Sequence, residues 1–259
     1  MNYLAHIYLS GDNDLVTIGN FMADGIKGKD YKKYPVEIQI GILLHRHIDT
    51  YTDTHKTVRK STKRLHSKYS HYSGIIVDML YDHFLAKNWK KYSEIPLNIY
   101  AKNIYSFLEK NNEALPLRAQ NMLPYMIEFN WLVSYASVNG IARVLTGMNK
   151  RTKGLSQMDL AIEDLKLHYN EFEEDFTSFF IDLIEFSTIL PASIWQCPSR
   201  HVPTPPETDG PASVPPDVPP MRGDYSRAGT TRTIVARATG PHSPARTRKP
   251  SPDPSPTAR

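Results

Sequence analysis

The sequence predicts an all-α protein: a single-domain helical bundle over residues 1–187, followed by a disordered, Pro-rich tail over 188–259. Three observations carry this. Apolar residues recur at three- and four-residue steps through nearly every segment of the first part, the spacing of amphipathic helices. Runs that alternate with period two are few and short, which argues against a sheet. Composition breaks near Ser187: residues 1–187 hold 4 of the 20 prolines and the remaining residues hold 16. The first part carries 22 basic and 22 acidic side chains and the second 9 and 5, so the net charge of +4 belongs to the tail.

The opening residues Met1–His6 read as an apolar turn without a basic leader, unlike a signal peptide. Asp14 to Asp24 places Leu15, Ile18, Phe21 and Met22 at helical spacing, with Gly25 and Gly28 as a stop. Pro35 suits a first helical turn, and Val36, Ile40, Leu43, Leu44, His47, Ile48 and Tyr51 extend that helix to about Thr52. His55–Tyr69 and Gly74–Trp89 follow, the latter strongly apolar. Pro96–Asn111, Leu117–Val138, Gly140–Lys150 and Leu155–Phe186 complete the expected helices.

The tail repeats Pro-Pro pairs among Ser, Thr, Gly and Arg, and it has too few apolar groups to offset the entropy of ordering. Its shift toward Pro, Ala, Arg and Gly fits a misjoined or frame-shifted reading frame, with a basic interaction tail as the alternative. The single cysteine, Cys197, excludes a disulfide within the chain. No run of about 18 uncharged apolar residues occurs, so a soluble, cytoplasmic protein without a membrane span is expected.

Against this apolar background, three segments present histidines and carboxylates, which are costly to bury unless paired or bound to a metal. His45 and Asp49 are four apart on one helix face, and Asp78 and Asp82 repeat that spacing with His83 adjacent. His6 and Asp24 complete a candidate ring. A mixed imidazole and carboxylate set suits a divalent ion, and its carboxylate content favours manganese or magnesium. The expected ligands are His6, Asp24, His45, Asp78, Asp82 and His83, with Asp49 orienting a ligand or joining them. Beside them Arg46 is placed to hold a phosphate oxygen. Each residue also has a plainer reading, as a hydrogen-bonded core histidine, a turn carboxylate, an intrahelical ion pair or a surface arginine; their coincidence favours the site.

These residues carry a resemblance. Asn2-Tyr3-Leu4-Ala5-His6, Gly19-Asn20-Phe21-Met22-Ala23-Asp24, Gly41 to Asp49, Thr52-Asp53 and Asp78 to Leu85 follow the order and spacing of the acyl carrier protein phosphodiesterase family, from Met1 to about Phe186. That family is similar to the HD-domain phosphohydrolases, so the resemblance implies an HD-like bundle, a manganese-dependent site and hydrolysis of the serine phosphodiester of holo acyl carrier protein. The implied products are 4′-phosphopantetheine and the apo protein. The sequence departs from the HD pattern in having no adjacent His-Asp dipeptide, offering His47-Ile48-Asp49 and Asp82-His83 instead.

Lys56, Arg59, Lys60, Lys63, Arg64 and Lys68 form a basic stripe along one helix. Carrier proteins are acidic, so the stripe is a candidate docking surface for one, although a solvated helix face would look the same. Two rivals keep parts of this reading: a nucleotide or guanosine polyphosphate phosphohydrolase with the same metal site, and a nucleic-acid-binding protein using the stripe with Tyr69 and Tyr72. The zero net charge of residues 1–187 speaks against the second. Oligomeric state is not legible.

Overall fold

A short helix opens the chain because Asn2 caps it, its side chain accepting from the Tyr3 N–H at 2.7 Å. This helix, α1, covers Tyr3–Tyr8. The computed structural model describes residues 1–196, and the side chains of residues 1–190. Among these residues there is no strand. The remaining helices are α2 (Asp14–Met22), α3 (Val36–Thr54), α4 (Lys56–Tyr69), α5 (Ser73–Lys87), α6 (Leu97–Lys110), α7 (Leu117–Glu128), α8 (Trp131–Ser134), α9 (Val138–Arg151), α10 (Ala161–Leu167) and α11 (Tyr169–Gln196).

The all-α expectation holds, with local differences. What was read as an apolar turn at the N-terminus is helical. The segment 117–138 is two helices, because Asn130 adopts a left-handed conformation (φ 43°) that interrupts the hydrogen-bond ladder. The expected helix over 155–186 begins at Ala161, after Gln157 at φ 49°, and breaks again at His168. Ile189 and Leu190 carry α11 past Ser187, so residues 188–196, expected in the tail, continue a helix. The rest of the expected tail lies outside the described residues.

Helix α5 is buried nearly all round, with Ile76, Val77, Met79, Leu80, Phe84 and Leu85 fully enclosed. It packs against α1, α4, α9 and α11. Phe176 and Phe179 of α11 meet it through Tyr81 and Phe84, each such aromatic contributing about 1.5–3 kcal/mol by burial. Helices α2 and α3 approach most closely. A Cβ on Gly19 would lie 2.2 Å from the Ile38 carbonyl oxygen, and one on Gly41 would lie 2.1 Å from that of Val16, so only glycine permits this spacing. No described helix is long and apolar enough to cross a membrane.

Candidate active site

The close α2–α3 contact sets Asn20 of α2 against His45 of α3, one turn beyond Gly41. Asn20 is fully buried, and its amide nitrogen donates to the His6 carbonyl at 2.8 Å and to Ser10 Oγ at 3.0 Å. Those two acceptors orient the amide, so Asn20 Oδ1 faces the imidazoles. It lies 3.0 Å from His6 Nδ1 and 3.1 Å from His45 Nδ1, and the Asn20 carbonyl is 2.9 Å from His45 Nδ1. An oxygen acceptor requires a proton on each Nδ1. Both Nε2 atoms are thereby left to face the opposite side, in the tautomer that metal-binding histidines adopt when a neighbour holds the other nitrogen.

The two rings stack 3.9 Å apart. His6 Nε2 lies 3.2 Å from Asp49 Oδ1, and His45 Nε2 lies 3.2 Å from Asp24 Oδ1 and 3.4 Å from Asp49 Oδ2. The His6 Nε2 atom is buried and, despite its distance to Asp49, makes no aligned hydrogen bond. Burial, reinforced by His45, pushes His6 down to about 4. Burial acts the same way on His45, but Asp49 and Asp24 together outweigh it and raise its pKa to about 9. Asp24 is held below the usual carboxylate range because its bond to His45 outweighs burial. A narrow cavity of about 10 Å³ opens among Asn2, Tyr3, His6, Asn20, Phe21, Asp24 and His45.

The expected ligand residues therefore divide. Among the described residues, His6, His45 and Asp49 bring ligand atoms within 4.8 Å of one another, and Asp24 adjoins them through His45. Helix α5 directs its ionisable groups to other partners. Asp78 Oδ1 pairs with the Met1 ammonium at 2.7 Å, and Asp82 accepts from the Asn2 and Leu4 N–H groups at 3.1 and 2.9 Å. His83 donates from Nδ1 to the Tyr135 carbonyl and accepts at Nε2 from the Tyr169 hydroxyl, both at 2.8 Å. The i, i+4 spacing was common to both helices; the nature of the partner, which spacing does not reveal, separates them. Asn20 was missed as a site residue, although it stands in a motif quoted for the family resemblance.

Arg46 does not face the cluster's imidazoles. It donates to the Gly28 and Ile26 carbonyls at 2.8 and 2.9 Å and lies over the Tyr31 ring. The basic stripe on α4 also divides. Lys60 and Arg64 pair with the buried Asp175 of α11 at 2.8 and 3.0 Å, and Arg64 stacks on Phe172. Lys68 pairs with Asp164. Lys56, Arg59 and Lys63 are exposed, and with Lys60 and Arg64 they line a shallow surface depression.

The family model described as acyl carrier protein phosphodiesterase matches residues 1–183. The chain belongs to the acyl carrier protein phosphodiesterase family. Proteins carrying that name are similar along nearly their whole length. The one from Pectobacterium atrosepticum is 32% identical over 188 residues, covering 72% of this chain and 97% of the relative. Those from Photorhabdus laumondii and Yersinia pestis are 32% and 33% identical over 186 and 181 residues, covering 71% and 70% of this chain and 94% of each relative. No solved structure matches the chain. The matched part of this chain ends before the Pro-rich segment, and it contains the whole His/Asp cluster.

Proposed function

We propose that the chain hydrolyses the serine phosphodiester of holo acyl carrier protein, releasing 4′-phosphopantetheine and the apo protein. The observation that carries this reading is the His6/Asp24/His45/Asp49 cluster, set within a chain whose relatives are named for that activity. The donor set fits a divalent cation. The neutral, buried His6 Nε2 faces Asp49 without an aligned hydrogen bond, and the carboxylates of Asp24 and Asp49 hold a proton on His45 that a cation could replace. Mixed imidazole and carboxylate ligation suits manganese, with magnesium or another divalent ion as the alternative.

His6, Asp24, His45 and Asp49 would hold the ion, which when bound polarises a phosphoryl oxygen and acidifies a water. Asn20 keeps both imidazoles in the ligating tautomer. Asp49 directs one oxygen to each histidine, so one can serve the cation while the other accepts a proton from the attacking water. Asp78 and Asp82 act by anchoring the first residues of the chain, and with them α1 and His6. Arg46 acts through the loop from Ile26 to Tyr31, next to Asp24.

Docking of the acidic carrier falls to Lys56, Arg59 and Lys63, the cations of the stripe that extend into solvent rather than to α11. The deciding experiment incubates the manganese-loaded protein with holo acyl carrier protein and follows the carrier by mass spectrometry. A loss corresponding to phosphopantetheine is expected; an unchanged carrier mass with folded, metal-loaded protein overturns the reading.

A further inference from the structure

The His/Asp cluster meets solvent along its carboxylate edge. The side chains of His6 and His45 are 4% and 8% exposed, against 18% for Asp24 and 25% for Asp49, so a substrate reaches the imidazoles past the two aspartates. The segment that follows Asp24 therefore borders the entrance. Lys27 is three residues further along the chain, within about 11 Å of Asp24 even if the backbone between them were fully extended.

Residues 26–34, between α2 and α3, carry four lysines and one acidic residue. Lys33 pairs with that residue, Asp30, at 2.5 Å. Lys27, Lys29 and Lys32 are exposed and make no ion pair among the described residues. The loop that bears them is held from the site itself. Arg46, next to His45, donates to the Ile26 and Gly28 carbonyls and lies over the Tyr31 ring. Gly28 turns the chain at φ 45°, and the Asp30 and Lys32 N–H groups close further turns onto the Lys27 and Lys29 carbonyls at 3.0 and 3.1 Å. A guanidinium with both terminal nitrogens on backbone carbonyls is a brace, and it leaves the three lysines as the charges that face outward.

On the carrier-protein reading of the site, we propose that Lys27, Lys29 and Lys32 form a docking surface at the rim of the cluster, where they bind acidic side chains of the carrier. In holo carrier protein the phosphorus hangs directly on the serine side chain, so cleavage brings the protein surface around that serine against the entrance. An acidic partner meets complementary charge there. The cations of α4 add to the field that steers the encounter, whereas the rim lysines act in the bound complex. A nucleic acid is the poorer fit, because residues 1–187 carry no net charge.

The test measures binding of fluorescently labelled apo acyl carrier protein, which has no phosphodiester to lose, to the full manganese-loaded chain by anisotropy at two ionic strengths. Wild type should bind more tightly at the lower one. Lys27→Glu, Lys29→Glu and Lys32→Glu combined should weaken that binding at least about tenfold and shrink its salt dependence, with manganese content and melting temperature unchanged. The three Gln replacements combined should act in the same direction, and they supply the measurement if the Glu variant melts early. Lys33→Gln removes the same net charge as any one of the other Gln replacements, yet it should weaken binding least, because Lys33 already serves Asp30. No salt-dependent binding by wild type, equal binding by the combined variants, an equal loss from Lys33→Gln, or tighter loop-dependent binding of a DNA duplex overturns the assignment. Cleavage of holo carrier protein, measured in parallel, keeps the two readings apart. Loop-dependent binding by a protein that leaves the carrier intact upholds the docking surface and removes the reaction. Cleavage with the same KM by wild type and the combined variants upholds the reaction and removes the docking surface.

Discussion

The acidic pair on α5 and the His/Asp cluster between α1 and α3 present the same puzzle in sequence and opposite answers in structure. Both place ionisable groups four apart on helices that face the core. On α5 each group meets a complementary partner: the Met1 ammonium, two backbone N–H groups, a carbonyl, a tyrosine hydroxyl. In the cluster, the bare His6 Nε2 faces Asp49, and the proton on His45 is held by the carboxylates of Asp49 and Asp24. Burial alone marks a residue as costly. A self-sufficient set of partners marks a fastener, and an incomplete one marks a place for a ligand.

The comparison breaks most readily at His45. His45→Asn or Asp49→Asn should lower turnover by at least about a hundredfold and reduce bound manganese while leaving the protein folded. Metal analysis and single-turnover cleavage on one preparation would check this, and a fully active, metal-replete variant would remove the residue from the site.

Asp78→Asn should behave in the opposite way. Removing one member of a buried ion pair strands the Met1 ammonium and should cost on the order of 3–5 kcal/mol of stability. Chemical denaturation measures the loss. Metal bound per folded molecule should stay near that of wild type, and a stable but metal-free variant would return Asp78 to the ligand set.

A third prediction uses pH to sharpen the contrast. The folded pKa of His45 is raised from 6.5 to about 9, so its protonation contributes stability that is fully present below pH 6.5 and is lost as pH rises through about 9. Metal-free protein should therefore lose several degrees of melting temperature across that interval. Manganese should flatten the curve by replacing the proton, and identical pH profiles with and without metal would count against a cation at His45.

The smallest effect is expected on the surface. Reversing Lys56, Arg59 and Lys63 to Glu should raise KM for carrier protein several-fold and weaken its salt dependence, with kcat and melting temperature nearly unchanged. Reversing Lys60 and Arg64 instead should chiefly destabilise the protein, because both serve Asp175. Steady-state kinetics at two ionic strengths, paired with melting curves, separate the docking cations from the structural ones.

Much of this was legible in the sequence. Helical periodicity located the principal elements because most are long and amphipathic, and the His45/Asp49 spacing placed both side chains on one face. Helix α1 escaped notice because six residues show too little periodicity, and its stability comes from the Asn2 cap and from Asp82 across the core. The division of α5 from the cluster was hidden for a related reason, since the partners of Asp78 and Asp82 lie about eighty residues away at the start of the chain.

Gly19 and Gly41 have a consequence for proton placement as well as for packing. Asn20 follows Gly19 directly and His45 lies one turn beyond Gly41, so the gap between two backbones determines whether one amide oxygen can reach two imidazoles. A methyl group at either glycine would force the helices apart, lengthen those contacts, and release the histidine ring nitrogens to exchange their proton. The thickness of a single carbon between α2 and α3 thus acts as a gauge that keeps the tautomers uniform in every copy of the protein.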